Sequence, residues 1–140
     1  MDAEMKQKML YFANETEPFT KLLGITVLDA EDGESTVALD MLPADLNHWG
    51  KPHGGALFTL CDVACGSAVV SLKPEVVVTV SATMDYLAVA APEGRLIATG
   101  HVDRAGTHMA FCSAQVRDAD GKLIARFHSV WCLTGQPLPL

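Results

Sequence analysis

The 140-residue sequence is poor in several things, and each shortage narrows what the chain can be. Aromatic residues make up only 6% of it, so packing has to rest on small aliphatic side chains and close backbone approach. There is no run of Lys or Arg: the ten are scattered, and the net charge is −7. A nucleic-acid partner needs a basic face to neutralise phosphates, so none is expected. The four cysteines, at 61, 65, 112 and 132, form no CxxC pair, which points to buried reduced thiols. His48, His101, His108 and His128 are too far apart in sequence to suggest a metal site. The apolar stretches are broken by Asp62, Gly66 or Lys73 and fall short of the roughly 20 residues of a membrane helix. Residues 1–17 carry Asp2, Glu4, Lys6, Lys8, Glu15 and Glu17, so no signal-peptide core is visible and a cytoplasmic location is expected. Repeats and low-complexity segments are missing too.

What the chain does have is apolar residues. It is 49% hydrophobic and 19% charged, with a mean hydropathy of +0.22. A domain of this size buries only about two-thirds of its unfolded surface, so the surplus implies a second burial surface and hence a homo-oligomer. The length allows one domain, 1–140. Met5, Met9 and Phe12 recur at helical spacing over residues 3–15, before Pro18. Residues 23–30 and 35–42 read as a strand pair around the turn Glu31-Asp32-Gly33. Residues 55–71 form one long apolar segment. Four β-rich segments follow, at 76–87, 95–104, 108–118 and 123–133, which read as a meander. The expected fold is α+β, an antiparallel six-stranded sheet wrapped around a long central helix, with a short N-terminal helix.

Asp62 is the only charge in the long apolar segment. A carboxylate in a buried helix costs several kcal/mol unless it is paired or opens on a cleft, so it is either a structural bridge or a working group. The preceding loop supplies Asn47, His48, Trp49 and His53, and Gly54-Gly55 opens the helix. Glycine at a helix start lets a ligand approach a free N–H, a donor suited to a developing oxyanion. Gly54 and Asp62 are eight residues apart, about 12 Å on a helix. If both act on one bond, they must come from two copies of the chain, across a dimer interface.

The run Asn47, then His53-Gly54-Gly55-Ala56-Leu57-Phe58-Thr59-Leu60-Cys61-Asp62, resembles the signature of hotdog thioesterases of the phenylacetic-acid-degradation (PaaI-like) type, and acyl-CoA thioesterases of the THEM type look similar. The likeness runs from Pro18-Phe19 to Ala125. It implies an acyl-CoA substrate, a dimer with composite sites and commonly a tetramer of two dimers, with coenzyme A entering as part of the substrate rather than as a cofactor. It also implies roles: Asp62 as general base or nucleophile, the Gly54 N–H (beside Gly55) as oxyanion hole, and Asn47 orienting the thioester or water. Thr79 aligns best with a hydroxyl that assists the carboxylate, and Ser81 would face the same way on a regular strand. His53 either holds the loop or takes part in acid–base chemistry. Trp49 and Phe58 either line the acyl pocket or pack. Aryl or short-to-medium acyl groups are the default.

The sequence also departs from that pattern. Tyr86-Leu87 is followed by Ala88-Val89 where relatives often have Arg-Pro, and Gly106 is followed by Thr107-His108 rather than a basic residue. Arg104 is the first candidate to meet the nucleotide phosphates instead, with Arg95 and Arg126 behind it. Two rival readings share the pocket: a hydratase or dehydratase pairing His53 with Asp62, and a non-catalytic acyl-CoA-binding module.

Overall fold

A computed structural model describes all of residues 1–140. The chain opens with helix α1 (Ala3–Glu15), started by Asp2, whose side chain accepts the Met5 N–H at 2.8 Å. Pro18 then begins a one-and-a-half-turn helix, α2 (Pro18–Leu23), closed by Gly24 in the left-handed region at φ 75°. Strands β1 (Ile25–Glu31) and β2 (Glu34–Asp40) form a hairpin. Its two turn residues, Asp32 and Gly33, both have positive φ, the twist that a two-residue hairpin needs. A single 3-10 turn (Pro43–Asp45) and a loop lead to α3 (Gly54–Leu72). The remaining strands are β3 (Glu75–Tyr86), β4 (Arg95–Ala105), β5 (Met109–Arg117) and β6 (Leu123–Pro137).

All six strands form one antiparallel sheet in the order β1-β2-β4-β5-β6-β3. This corrects the expected four-strand meander. Only β4, β5 and β6 run as one; β3 crosses to the far edge and pairs with β6, while β4 docks on β2. Periodicity identifies a strand but not its neighbour, and the segment 87–94 is long enough to carry the chain across. Two boundaries also move. Residues 18–23 are helical, because Pro18 presets the first turn and Gly24 ends it; β1 starts only at Ile25.

Helix α3 packs against all six strands and forms the centre of the core. At 19 residues it is longer than the broken runs counted in the sequence, and by length and composition alone it would reach across a bilayer. Here it is the core helix of a curled sheet. Ala56, Leu57, Leu60, Cys61, Ala64, Cys65, Ala68 and Val69 are all buried on it. The low aromatic content shows its use at two glycines. A Cβ on Gly66 would sit 2.9 Å from the Trp131 ring, so the missing side chain seats the indole against the helix. A Cβ on Gly100 of β4 would lie 2.5 Å from the Ala64 carbonyl oxygen, on the backbone of α3 itself. Helix and sheet therefore touch main chain to main chain. Gly100→Ala is expected to lower unfolding free energy in urea by about 1–3 kcal/mol, the usual cost of overpacking. A variant as stable as the parent would show that strand and helix have room to part.

Candidate active site

Asp62 lies near the middle of α3, on the side that faces β3. The Thr79 hydroxyl donates to its Oδ1 at 2.8 Å, and Oδ2 has no hydrogen-bond partner in the chain and is not sealed from the surroundings. Burial raises the Asp62 carboxyl above the ordinary range, and the Thr79 hydrogen bond partly opposes that shift. The carboxyl opens on a cavity of about 400 Å³ between α1, α3, β3 and the C-terminal residues, walled mainly by apolar side chains such as Met9, Phe12, Val63, Val77 and Trp131. A partly buried carboxylate with one free oxygen beside an apolar hollow has the chemistry a base or a nucleophile needs.

A β-bulge decides between the two candidate hydroxyls. The pairing register of β3 on β6 shifts between Thr79 and Ser81, so Thr79 pairs with the inward-facing Trp131 and Ser81 with Val130. Trp131 and Ser129 are both buried, which puts Val130, and Ser81 opposite it, on the outer face. Strict alternation would have put Thr79 and Ser81 on one face. The extra residue at the bulge turns Ser81 outward, into a shallow groove with Asp103, Phe111 and His128.

The second group of residues gathers at the start of α3. Asn47 closes its own loop: its Oδ1 accepts the N–H of Trp49 at 2.9 Å and of Lys51 at 3.1 Å, leaving the amide NH2 free to donate. His53 caps the helix, its Nδ1 accepting the Gly55 N–H at 2.8 Å. The imidazole therefore carries its hydrogen on Nε2, and its other nitrogen is committed to the backbone. The Gly54 N–H donates to no group of the chain, while the Gly54 carbonyl accepts from the Tyr86 hydroxyl at 2.8 Å. A Cβ on Gly54 would stand 3.2 Å from the Tyr86 ring.

Two clusters result, Asp62 with Thr79 and Asn47 with His53, Gly54 and Gly55. One chain does not bring them together, since eight helical residues separate Gly54 from Asp62. Trp49 is 74% exposed and stacks on His48, with ring centroids 3.6 Å apart. Phe58 packs edge-on against Phe127 at 5.0 Å. Neither lines the Asp62 cavity, whose wall comes instead from α1 and the C-terminal residues. Among the three arginines considered, Arg95 is held bidentately by Asp40 at 2.7 and 3.0 Å, and Arg126 is 3.7 Å from Asp85. Arg104 is exposed and has no carboxylate partner.

Three residues escape a reading of the sequence. Tyr86 ties the end of β3 to the start of α3. Asp45 is fully buried: its Oδ2 accepts the Leu42 N–H at 2.9 Å and its main-chain carbonyl accepts the His53 N–H at 2.7 Å, so it anchors the loop. Its Oδ1 has no partner, and burial raises its carboxyl. Glu17 lines the Asp62 cavity. Nothing in the local sequence marks these; Asp45 and Glu17 look like ordinary loop charges.

A six-stranded antiparallel sheet curled around one long helix, with an acid on that helix, defines a hotdog-fold protein. The model of the thioesterase superfamily matches residues 50–125, and the chain belongs to that family. A Deinococcus radiodurans protein named as a candidate esterase is 33% identical over 114 residues, 81% of this chain and 77% of that protein. The PaaI protein of the Escherichia coli phenylacetic acid degradation operon superposes with a TM-score of 0.86 at 25% identity, covering 96% of this chain and 95% of that one. A mutant form of PaaI from Thermus thermophilus gives 0.77 at 30% identity, covering 84% and 99%. The fold is PaaI-like, and thioester hydrolysis is the class of activity that goes with the family.

The raised carboxyl has a consequence for stability. Asp62 is more easily protonated folded than unfolded, so its ionised form costs stability at neutral pH, and the cost disappears below the unfolded value. Asp62→Asn is expected to be more stable than the parent in urea melts at pH 7. The gap should narrow as pH falls through the raised pKa and close at about pH 3. A gap that widens in acid would contradict the burial of this group.

Proposed function

We propose that the chain hydrolyses acyl-coenzyme A thioesters with aryl or short-to-medium acyl groups. The observation that carries this is the Asp62 carboxylate, one oxygen held by Thr79 and the other free, at an apolar cavity of about 400 Å³. The acyl group enters that cavity. Asp62 takes a proton from water, the resulting hydroxide adds to the thioester carbonyl, and the tetrahedral intermediate expels the thiolate as the C–S bond breaks. An elevated pKa makes the carboxylate a better base near neutral pH. The developing oxyanion needs an N–H donor, and the free Gly54 N–H is suited to it, assisted by the uncommitted amide of Asn47.

Those donors act from a second copy. The separation along α3 supports this, and β3 offers a means: it is an edge strand of 12 residues with Val78, Val80 and Tyr86 exposed, and Leu87 exposed just beyond it. Such an edge is normally covered. Pairing two β3 strands would bring Gly54 of the partner subunit towards Asp62 and would use the apolar surplus of the composition. Arg104, the one of the three arginines considered that has no carboxylate partner, is the first candidate for the nucleotide phosphates. Water, a carboxylate and an N–H donor suffice for the reaction, so no metal or redox cofactor is invoked, and a cytoplasmic setting fits reduced thiols.

Thiol release across a panel of acyl-CoAs tests the reading. Asp62→Asn is expected to keep the oligomer, by light scattering, while kcat falls by more than about a hundredfold. Unchanged turnover would remove Asp62 from its role. Turnover in H2 18O separates base from nucleophile, because only a nucleophilic Asp62 acquires label. Hydration of crotonyl-CoA without thiol release would favour the hydratase reading, although His53 has its Nδ1 tied to Gly55. Val80→Arg is expected to yield a folded monomer in sedimentation that has lost at least about nine-tenths of the activity, with Asp62 intact. A fully active monomer would overturn the composite site.

A further inference from the structure

The Asp62 cavity has a feature that hydrolysis alone does not require. Two further carboxylates line it, Glu17 at the corner between α1 and α2 and Glu75 at the start of β3. They differ in how they are held. Glu75 is engaged, its Oε1 accepting the Gly135 N–H at 2.8 Å. The Glu17 side chain makes no hydrogen bond or ion pair: it sits at the N-cap of α2 but does not cap it. No Lys, Arg or His lines the cavity to balance these charges. Glu17 opens to solvent on one side, and burial on the other, followed by the nearby Asp62 charge, raises its carboxyl. Glu17 and Asp62 thus feel each other across the hollow.

We propose that Glu17 is a specificity-determining residue, a fixed negative charge in the wall of the acyl cavity that excludes acyl groups carrying a carboxylate of their own. The inference rests on the acyl-CoA reading above and deepens it. An apolar wall already disfavours an anionic acyl chain, but water and counter-ions drawn in with the chain soften that penalty. A carboxylate with no counter-charge in the wall opposes this: an incoming anion meets like charge at the partly solvated rim of an otherwise apolar hollow. The groups facing Asp62 are Glu17 from the α1–α2 corner, Glu75 and Thr79 from β3, and Cys61 beside it on α3; α1, β1 and β6 present uncharged side chains.

The test compares hexanoyl-CoA with adipoyl-CoA, six-carbon acyl groups without and with a terminal carboxylate. The parent is expected to favour hexanoyl-CoA strongly in kcat/KM. Glu17→Gln should reduce that preference by about tenfold, equivalent to about 1.4 kcal/mol, through faster turnover of adipoyl-CoA. Glu17→Asp, which keeps the charge, should retain most of the preference. A purely structural role would change turnover of both substrates alike and would not be rescued by Glu17→Asp, whereas loss of this charge should raise kcat/KM for adipoyl-CoA selectively. If Glu17→Gln fails to fold, Glu17→Ser is read against the same pair. An unchanged preference in a folded variant, with a parent active on hexanoyl-CoA, overturns the role of Glu17 alone. A parent inactive on every acyl-CoA overturns the hydrolase reading and this inference with it.

Discussion

A carboxylate set into an apolar helix governs this structure, because everything around Asp62 has to keep it enclosed yet usable. The enclosure comes from the sheet, which curls around α3 on all sides. Usability comes from one hydrogen bond. Thr79 steadies a single oxygen and leaves the other open to the cavity. A second donor on Oδ2 would hold the charge more securely and make it a weaker base. The raised carboxyl is the result of burial, which one hydrogen bond only partly offsets, and it places a local cost on the fold at the position where the chemistry is proposed.

Close approach of main chains is what makes the enclosure tight. With few aromatic rings, the molecule does not fill the gap between helix and sheet with bulk; it narrows the gap. Gly100 lets β4 rest on the Ala64 carbonyl, and Gly66 lets the edge of the Trp131 ring approach the helix closely. Trp131 then serves both the core and the cavity wall, with its indole N–H donating to Ser129 at 2.8 Å.

Much of this was legible in the sequence, for identifiable reasons. The long helix was visible because a largely apolar segment of seventeen residues with one acid in it has no other comfortable place, and the Asp32-Gly33 hairpin because a two-residue turn with positive φ suits that pair. The resemblance carried by Asn47, His53-Gly54-Gly55 and Asp62 agrees with the family that the chain belongs to. What was hidden depends on long-range pairing. The crossover of β3 to the far edge, the bulge that turns Ser81 away from Thr79, and the arrival of Glu17 beside the cavity are all set by contacts distant in the chain. Trp49 and Phe58 were natural choices for pocket walls by residue type. The sheet wall and α1 took that place, and Phe58 turned to Phe127.

Strand β3 grips the central helix twice, through Thr79 to Asp62 and through Tyr86 to the Gly54 carbonyl. It therefore works as a common ruler for the acid and for the glycine amide at the helix start, two groups that never meet within one chain. Sliding the strand by a single residue would disturb both ends together, so the bulge beside Thr79 also fixes the register of the whole site. Any body that docks along this exposed edge, a second copy included, would transmit its grip to both ends of the helix at once, coupling assembly to reactivity without a separate signalling element.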